Sequence, residues 1–297
     1  MPQSAPLQTL IRERARARRD RERAQKSLLD DNDCFHETIR TKLAGLLDST
    51  QFWNFSRCGQ EKVFRTCKSC QATEAFEYHC SLKWCPRCAY RVTATRKKLI
   101  GLWASKITQP KHLVLTQKNF PVLTRRSIRE MTRNLYHMRR RKSFAAVKGG
   151  CVSVEITNEK RGWHLHSHWL LDCRWLNMTA VCSDWSSLVG QDFAIAKVKD
   201  CRNEQYLQEV SKYVVEGSEL AKWPADQVNE FVRAVKGLRF FFSFGSLFKL
   251  APEIRRELFA TAPPSPVCDC GCSDFAYEDE ATAICHDIER LNRRKRR

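Results

Sequence analysis

The sequence predicts an α+β fold in which an antiparallel sheet is flanked by helices and preceded by a cysteine-rich module. Three observations point there. From residue 112 onward, short apolar strand runs alternate with amphipathic helical segments. Two of those runs, Cys151–Thr157 and His164–Leu171, are separated only by the turn-like Asn158–Gly162, so they pair most simply as a hairpin. Six of the 15 cysteines crowd into Cys58–Cys88, far more than an ordinary core uses.

Taken in order, residues 8–27 alternate arginine with alanine and acidic residues, the pattern of a solvated helix or a disordered arm. Glu37–Leu47 reads as a short helix, and Arg91–Ile107 as a helix leading out of the cysteine region. His112–Thr116 (HLVLT) is an apolar strand, and Thr124–Arg141 a strongly basic helix. After the hairpin come a helix at Leu176–Leu188, a strand at Phe193–Val198 and a helix at Glu204–Val215. Pro224–Lys236 is amphipathic, and Leu238–Phe244 is a final extended segment. Pro263, Pro264 and Pro266 mark a linker before a cysteine-bearing tail that ends in the basic run Arg293–Arg297. The expected division is an arm over 1–33, a cysteine module with flanking helices over 34–105, a main domain over 106–250, and a linker and tail over 251–297. No internal repeat is evident.

Charge narrows the function. Lys and Arg number 52 against 33 Asp and Glu, a net charge of +19. A neutral metabolic enzyme is then a poor default, and a polyanion, foremost nucleic acid, the leading partner. The longest apolar stretch, Leu238–Leu250, is broken by Ser243, Gly245 and Lys249, well short of the ~20 residues a membrane helix needs. With no secretory signal visible, the expectation is a cytoplasmic protein without membrane contact.

In a reducing compartment, clustered cysteine pairs imply metal thiolates before disulfides. Cys67-Lys-Ser-Cys70 and Cys85-Pro-Arg-Cys88, fourteen residues apart, fit two knuckles of a tetrahedral Zn²⁺ site and give the N-terminal module a zinc-ribbon-like character. Cys58, His79 or Cys80 could replace one ligand. In the tail, Cys268, Cys270, Cys272 and Cys285 offer thiolates for a second zinc, in a spacing that matches no common template. The H-x-E pattern of a zinc deaminase does not occur.

Strand periodicity of two places His164, His166 and His168 of His164-Leu-His-Ser-His-Trp-Leu-Leu171 on one face. Three imidazoles make a poor core and a good cation site, to which Glu155 on the neighbouring strand could add a carboxylate. Such mixed ligation admits Mn²⁺, Mg²⁺ or Zn²⁺. Downstream, Tyr206, Glu209 and Tyr213 share a helical face, with Lys212 adjacent. A tyrosine can attack phosphorus covalently when a cation polarises the phosphate and a base or cation assists its ionisation.

With these motifs in place, residues 60–250 resemble the rolling-circle replication initiators, the Rep proteins of the HUH endonuclease superfamily, of plasmid and phage type. HLVLT (112–116) is similar to the family's first motif, HLHSHWLL (164–171) to its metal motif, and Glu209-Val-Ser-Lys-Tyr213 to its nucleophile motif. The Cys85–Cys88 knuckle and the Gly237–Gly245 stretch are similar as well. The resemblance implies an antiparallel-sheet HUH nuclease core over 106–250. It implies His166 and His168 as the metal pair for Mn²⁺ or Mg²⁺, His164 as a flanking or alternative ligand, and Glu155 as a third ligand. Tyr213 would be the nucleophile and Lys212 its basic neighbour. Glu209, standing where two-tyrosine relatives have the other tyrosine, would activate water or a hydroxyl in termination. The implied activity is nicking and rejoining of single-stranded or hairpin origin DNA through a 5′-phosphotyrosine. Without a P-loop pattern in the sequence, a host helicase would be borrowed alongside a host polymerase. A transposase of the HUH type, or a non-catalytic zinc-ribbon DNA-binding regulator, are the alternatives.

Overall fold

The structure is a computed structural model that describes residues 30–107, 109–159, 161–192, 195–201, 205–211, 214–249 and 268–278. The arginine-rich segment at 8–27, the proline linker and the terminal basic run lie outside the described residues. The fold is mixed α+β with two antiparallel sheets.

The larger sheet has five strands in the order β6-β3-β5-β4-β7: β3 Pro110–Thr116, β4 Gly149–Glu159, β5 Gly162–Asp172, β6 Ala196–Asp200 and β7 Phe241–Phe244. The expected hairpin is present, with β4 and β5 paired antiparallel from Gly149↔Asp172 to Glu159↔Gly162. Gly162, at φ +94°, sits so close to the Phe120 carbonyl that a Cβ would meet it at 2.5 Å, so only glycine fits there. The histidine-bearing β5 is the central strand, hydrogen-bonded on both sides.

Period-two patterning sorts the two faces. Leu113, Leu115, Val152, Val154, Ile156, Leu165 and Trp169 are all buried on one of them. Against it pack α4 (Arg125–Met138), α5 (Met178–Val189) and α8 (Ala225–Val235). Helix α4 forms as its sequence dictates: Ile128, Met131, Leu135 and Met138 recur at helical spacing and are buried. Its first turn is closed by a capping box between Thr124 and Ser127. The opposite face carries the histidines and is covered by α3 (Pro86–Ala104) and α6 (Gln205–Ser211). There Leu99, Ile100 and Trp103 meet Cys151, Leu170, Leu207 and Val210 in a second apolar cluster.

The N-terminal part contains a helix over residues 30–43 (α1) and α2 (Ser49–Arg57). A three-stranded sheet follows, ordered β2-β1-β8, from Lys62–Cys67 (β1), Thr73–Glu77 (β2) and Phe275–Glu278 (β8). Helix α2, this hairpin, the short α7 (Gly217–Lys222) and β8 are elements that patterning did not predict. Helix α3 begins at Pro86, earlier than the expected Arg91, because proline suits the first turn, where its missing N–H is not needed. The extended segment expected at Leu238–Phe244 is trimmed to Phe241–Phe244, although the Phe240 carbonyl still accepts from the Val154 N–H at 2.8 Å. Lys42 ties α1 to the end of α7, its ammonium donating to the Trp223 carbonyl at 2.7 Å.

Candidate active site and metal centres

The register of the large sheet builds the histidine site. On β5, His164, His166 and His168 stand opposite Thr157, Glu155 and Ser153 of β4. On the other side, Val114 of β3 lies opposite His168 and is itself flanked by Lys197 of β6. All of these positions share the face under α6. Glu155 Oε2 lies 2.8 Å from His166 Nε2 and 3.1 Å from His168 Nε2. The three ligand atoms fall within 4.8 Å of one another. Glu155 and His168 are buried. His164 is next along the strand, its ring centroid 5.1 Å from that of His166, and it lies outside this trio.

The donor set fits a divalent cation. Two imidazole nitrogens converge on one buried carboxylate oxygen, so a cation would replace the shared protons and join all three groups. Among the described residues, His166 Nδ1 is buried without a hydrogen-bond partner, so the ring's hydrogen bonding there comes from its Nε2 side. One nitrogen and oxygen set of this kind suits Mn²⁺, Mg²⁺ or Zn²⁺.

Around the trio stand two further groups. His112 Nε2 on β3 is 3.3 Å from His168 Nδ1, the rings stacked at 5.5 Å. Glu209 on α6 brings Oε2 to 3.8 Å from the same Nδ1. A partner on the second ring nitrogen fixes the tautomer and orientation of a metal-binding histidine. Patterning treated HLVLT as an apolar strand and so missed His112. The signal available was a histidine at the buried end of a strand run. Lys212 and Tyr213 lie outside the described residues. Ser211 and Val214, on either side of them, are buried, and the Val214 carbonyl accepts from the Ile156 N–H at 2.8 Å, one residue beyond Glu155.

The cysteines form two clusters, and the expected quartet is divided between them. Cys85 and Cys88 join Cys58 and Cys80, while Cys67 and Cys70 join Cys268 and Cys270. The reason is topological. Cys58 caps α2, Cys80 follows β2, and Cys85 and Cys88 open α3, so these three elements meet at one end of the hairpin, whereas Cys67 and Cys70 occupy its turn. In the first cluster the Cys58 sulfur is 3.5 Å from that of Cys88 and 3.6 Å from that of Cys85, and Cys80 is 3.7 Å from Cys88. Hydrogen bonds from the Cys80, Cys85 and Cys88 thiols hold Cys58 far below the ordinary thiol range. Burial pushes the Cys85 thiol up. In the second cluster the backbone N–H groups of Cys70 and Ser69 bring Cys67 down to about 6. Cys285 lies outside the described residues.

Fold and site together define a basic α+β protein with an imidazole–carboxylate cluster on its main sheet and two four-cysteine clusters, each of which could hold a metal ion. The chain matches the family described as Replication protein over residues 73–263, and it belongs to that family, in keeping with the rolling-circle initiators its motifs resemble. No curated protein and no solved structure matches it.

Proposed function

We propose that the chain initiates rolling-circle replication by nicking and rejoining single-stranded origin DNA, with Tyr213 as nucleophile. The convergence of Glu155, His166 and His168 beneath the helix that carries Glu209 is the observation that carries this reading. Support also comes from the family match, which favours an initiator over a transposase, and from the +19 net charge. Lys197, on the histidine face at the edge of the sheet, offers a cation for DNA phosphate.

Glu155, His166 and His168 would hold the divalent cation, which when bound polarises the scissile phosphate. The Tyr213 phenol attacks phosphorus. The bond from its oxygen to phosphorus forms as the bond to the 3′ oxygen breaks, and the phenolic proton ends on the departing 3′-OH. Lys212, adjacent in sequence, favours the ionised phenol. The resulting 5′-phosphotyrosine conserves the bond energy of the phosphodiester, so rejoining needs no ATP. The released 3′-OH primes a host polymerase, with a host helicase opening the duplex. Glu209 serves the termination step by accepting a proton from water or a hydroxyl.

The test is incubation with labelled single-stranded oligonucleotides and Mn²⁺, followed by denaturing electrophoresis. A covalent protein–DNA adduct is expected from the wild type and none from Tyr213→Phe, which should still bind DNA. A normal adduct yield in that variant rejects Tyr213. Glu209→Ala should keep nicking and lose termination; equal loss of both steps would give Glu209 another role.

A further inference from the structure

We propose that Cys67, Cys70, Cys268 and Cys270 form a zinc site of their own, separate from Cys58, Cys80, Cys85 and Cys88, which fastens residues 268–278 to the first hairpin. This proposal is independent of the nicking chemistry.

The sulfur positions carry it. Cys67 Sγ lies 3.6 Å from Cys270 Sγ, and Cys70 Sγ 3.4 Å from Cys268 Sγ. All four sulfurs fall within 4.8 Å of one another. Four thiolates bonded to zinc at about 2.3 Å in a tetrahedron stand about 3.8 Å apart, whereas disulfide sulfurs are about 2.05 Å apart. Four unprotected thiols crowd badly, and a soft divalent ion converts the crowding into four bonds.

Backbone conformation is a second, independent sign. Each of the two chain segments makes a tight turn through its cysteine pair: the Gln71 N–H donates to the Cys67 carbonyl at 2.9 Å, and the Gly271 N–H to the Cys268 carbonyl at 2.8 Å. The residue after each second cysteine is left-handed, Gln71 at φ +60° and Gly271 at φ +86°. In the other cluster the residues after its two single cysteines are left-handed as well, Gly59 at φ +69° after Cys58 and Ser81 at φ +55° after Cys80. Gln71 and Ser81 are the non-glycine residues with positive φ among the described residues. Such strain persists where the surroundings over-determine it, as in a ligand clamp.

The rest of the junction is built for the same docking. Strand β8 pairs antiparallel with β1, Cys67 opposite Phe275. The Lys68 N–H donates to the Asp274 carbonyl at 3.1 Å, and its ammonium meets the Asp274 carboxylate at 3.0 Å. The Arg65 guanidinium lies 4.0 Å over the Phe275 ring. Cys272 stays out of the cluster, its sulfur accepting from the Asp274 N–H at 3.3 Å.

Elemental analysis of the purified full chain tests this. Counting only zinc that His166→Ala does not remove, two zinc ions per chain are expected, falling to one in Cys268→Ser and in Cys70→Ser and staying at two in Cys272→Ser. Cys88→Ser should also fall to one, and the Cys88→Ser, Cys268→Ser double variant to none. One zinc per wild-type chain overturns the proposal even if the variants fail to fold. Unchanged zinc in Cys268→Ser, or a Cys70–Cys268 disulfide recovered by peptide mass spectrometry without alkylation of those thiols, overturns it as well.

Discussion

At the scale of single residues, the site rests on which side chain faces which across the sheet. His112 illustrates the consequence. Its ring stands against His168 Nδ1, so it would act on a bound cation through the orientation of His168. We expect His112→Phe to weaken Mn²⁺ binding by about 10–100-fold, the usual effect of removing such a partner, measured by calorimetric titration. An unchanged affinity would show that Glu209 alone orients the ring. Removing a ligand is harsher: Glu155→Gln should lose stoichiometric Mn²⁺ binding while the fold persists by circular dichroism, and retained binding would discard Glu155. The histidine face was legible because strand period fixes it without knowledge of neighbours. His112 was not, because its role depends on the β3–β5 register, a long-range property that HLVLT does not encode locally. The cysteine pairs were likewise visible as knuckles, and Cys58, Cys80, Cys268 and Cys270 as candidate ligands, while which of them meets which knuckle was not. Cys58 and Cys80 have no neighbouring cysteine at a knuckle spacing, and which knuckle meets which is decided by the packing of α2, β2 and α3.

Among the elements, the long, strongly patterned ones were predictable and the short ones were not. Helix α4 combines an apolar stripe with a capping box, and β4 and β5 combine alternation with a turn; each signal is local. Helix α2 and the β1–β2 hairpin are short and rich in polar residues, and they meet at the Cys58, Cys80, Cys85 and Cys88 cluster and at Phe55 and Trp84, whose rings lie 4.6 Å apart. Two stability effects follow. Trp169 is fully buried on the core face of β5, its Nε1 donating to Ser167 at 2.9 Å. Trp169→Ala should cost about 3–5 kcal/mol, read by urea denaturation, and a loss under 1 kcal/mol would mean the core closes over the gap. Thr124→Ala removes the α4 cap and should cost about 1 kcal/mol.

For the molecule as a whole, the charge balance sets the behaviour toward DNA. Each phosphate neutralised along a single strand contributes about −0.7 to the slope of log affinity against log salt. Binding of a labelled oligonucleotide should therefore weaken steeply with KCl, and a flat response would rule out a polyanion groove. Fold class and charge were readable from composition and period. The attachment of residues 268–278 was not, because β8 is four residues long and its partner strand lies some two hundred positions earlier in the chain.

That separation has a consequence for biosynthesis. Cys70 precedes Cys268 by 198 residues. At ~5–20 residues per second, the ribosome makes β1 roughly 10–40 s before β8 exists to cover its open side. During that interval the first hairpin presents an unpaired edge, and the whole main sheet is synthesised before it is capped. A chain released before β8 is made would carry that bare edge, exposed to proteases and to other nascent chains.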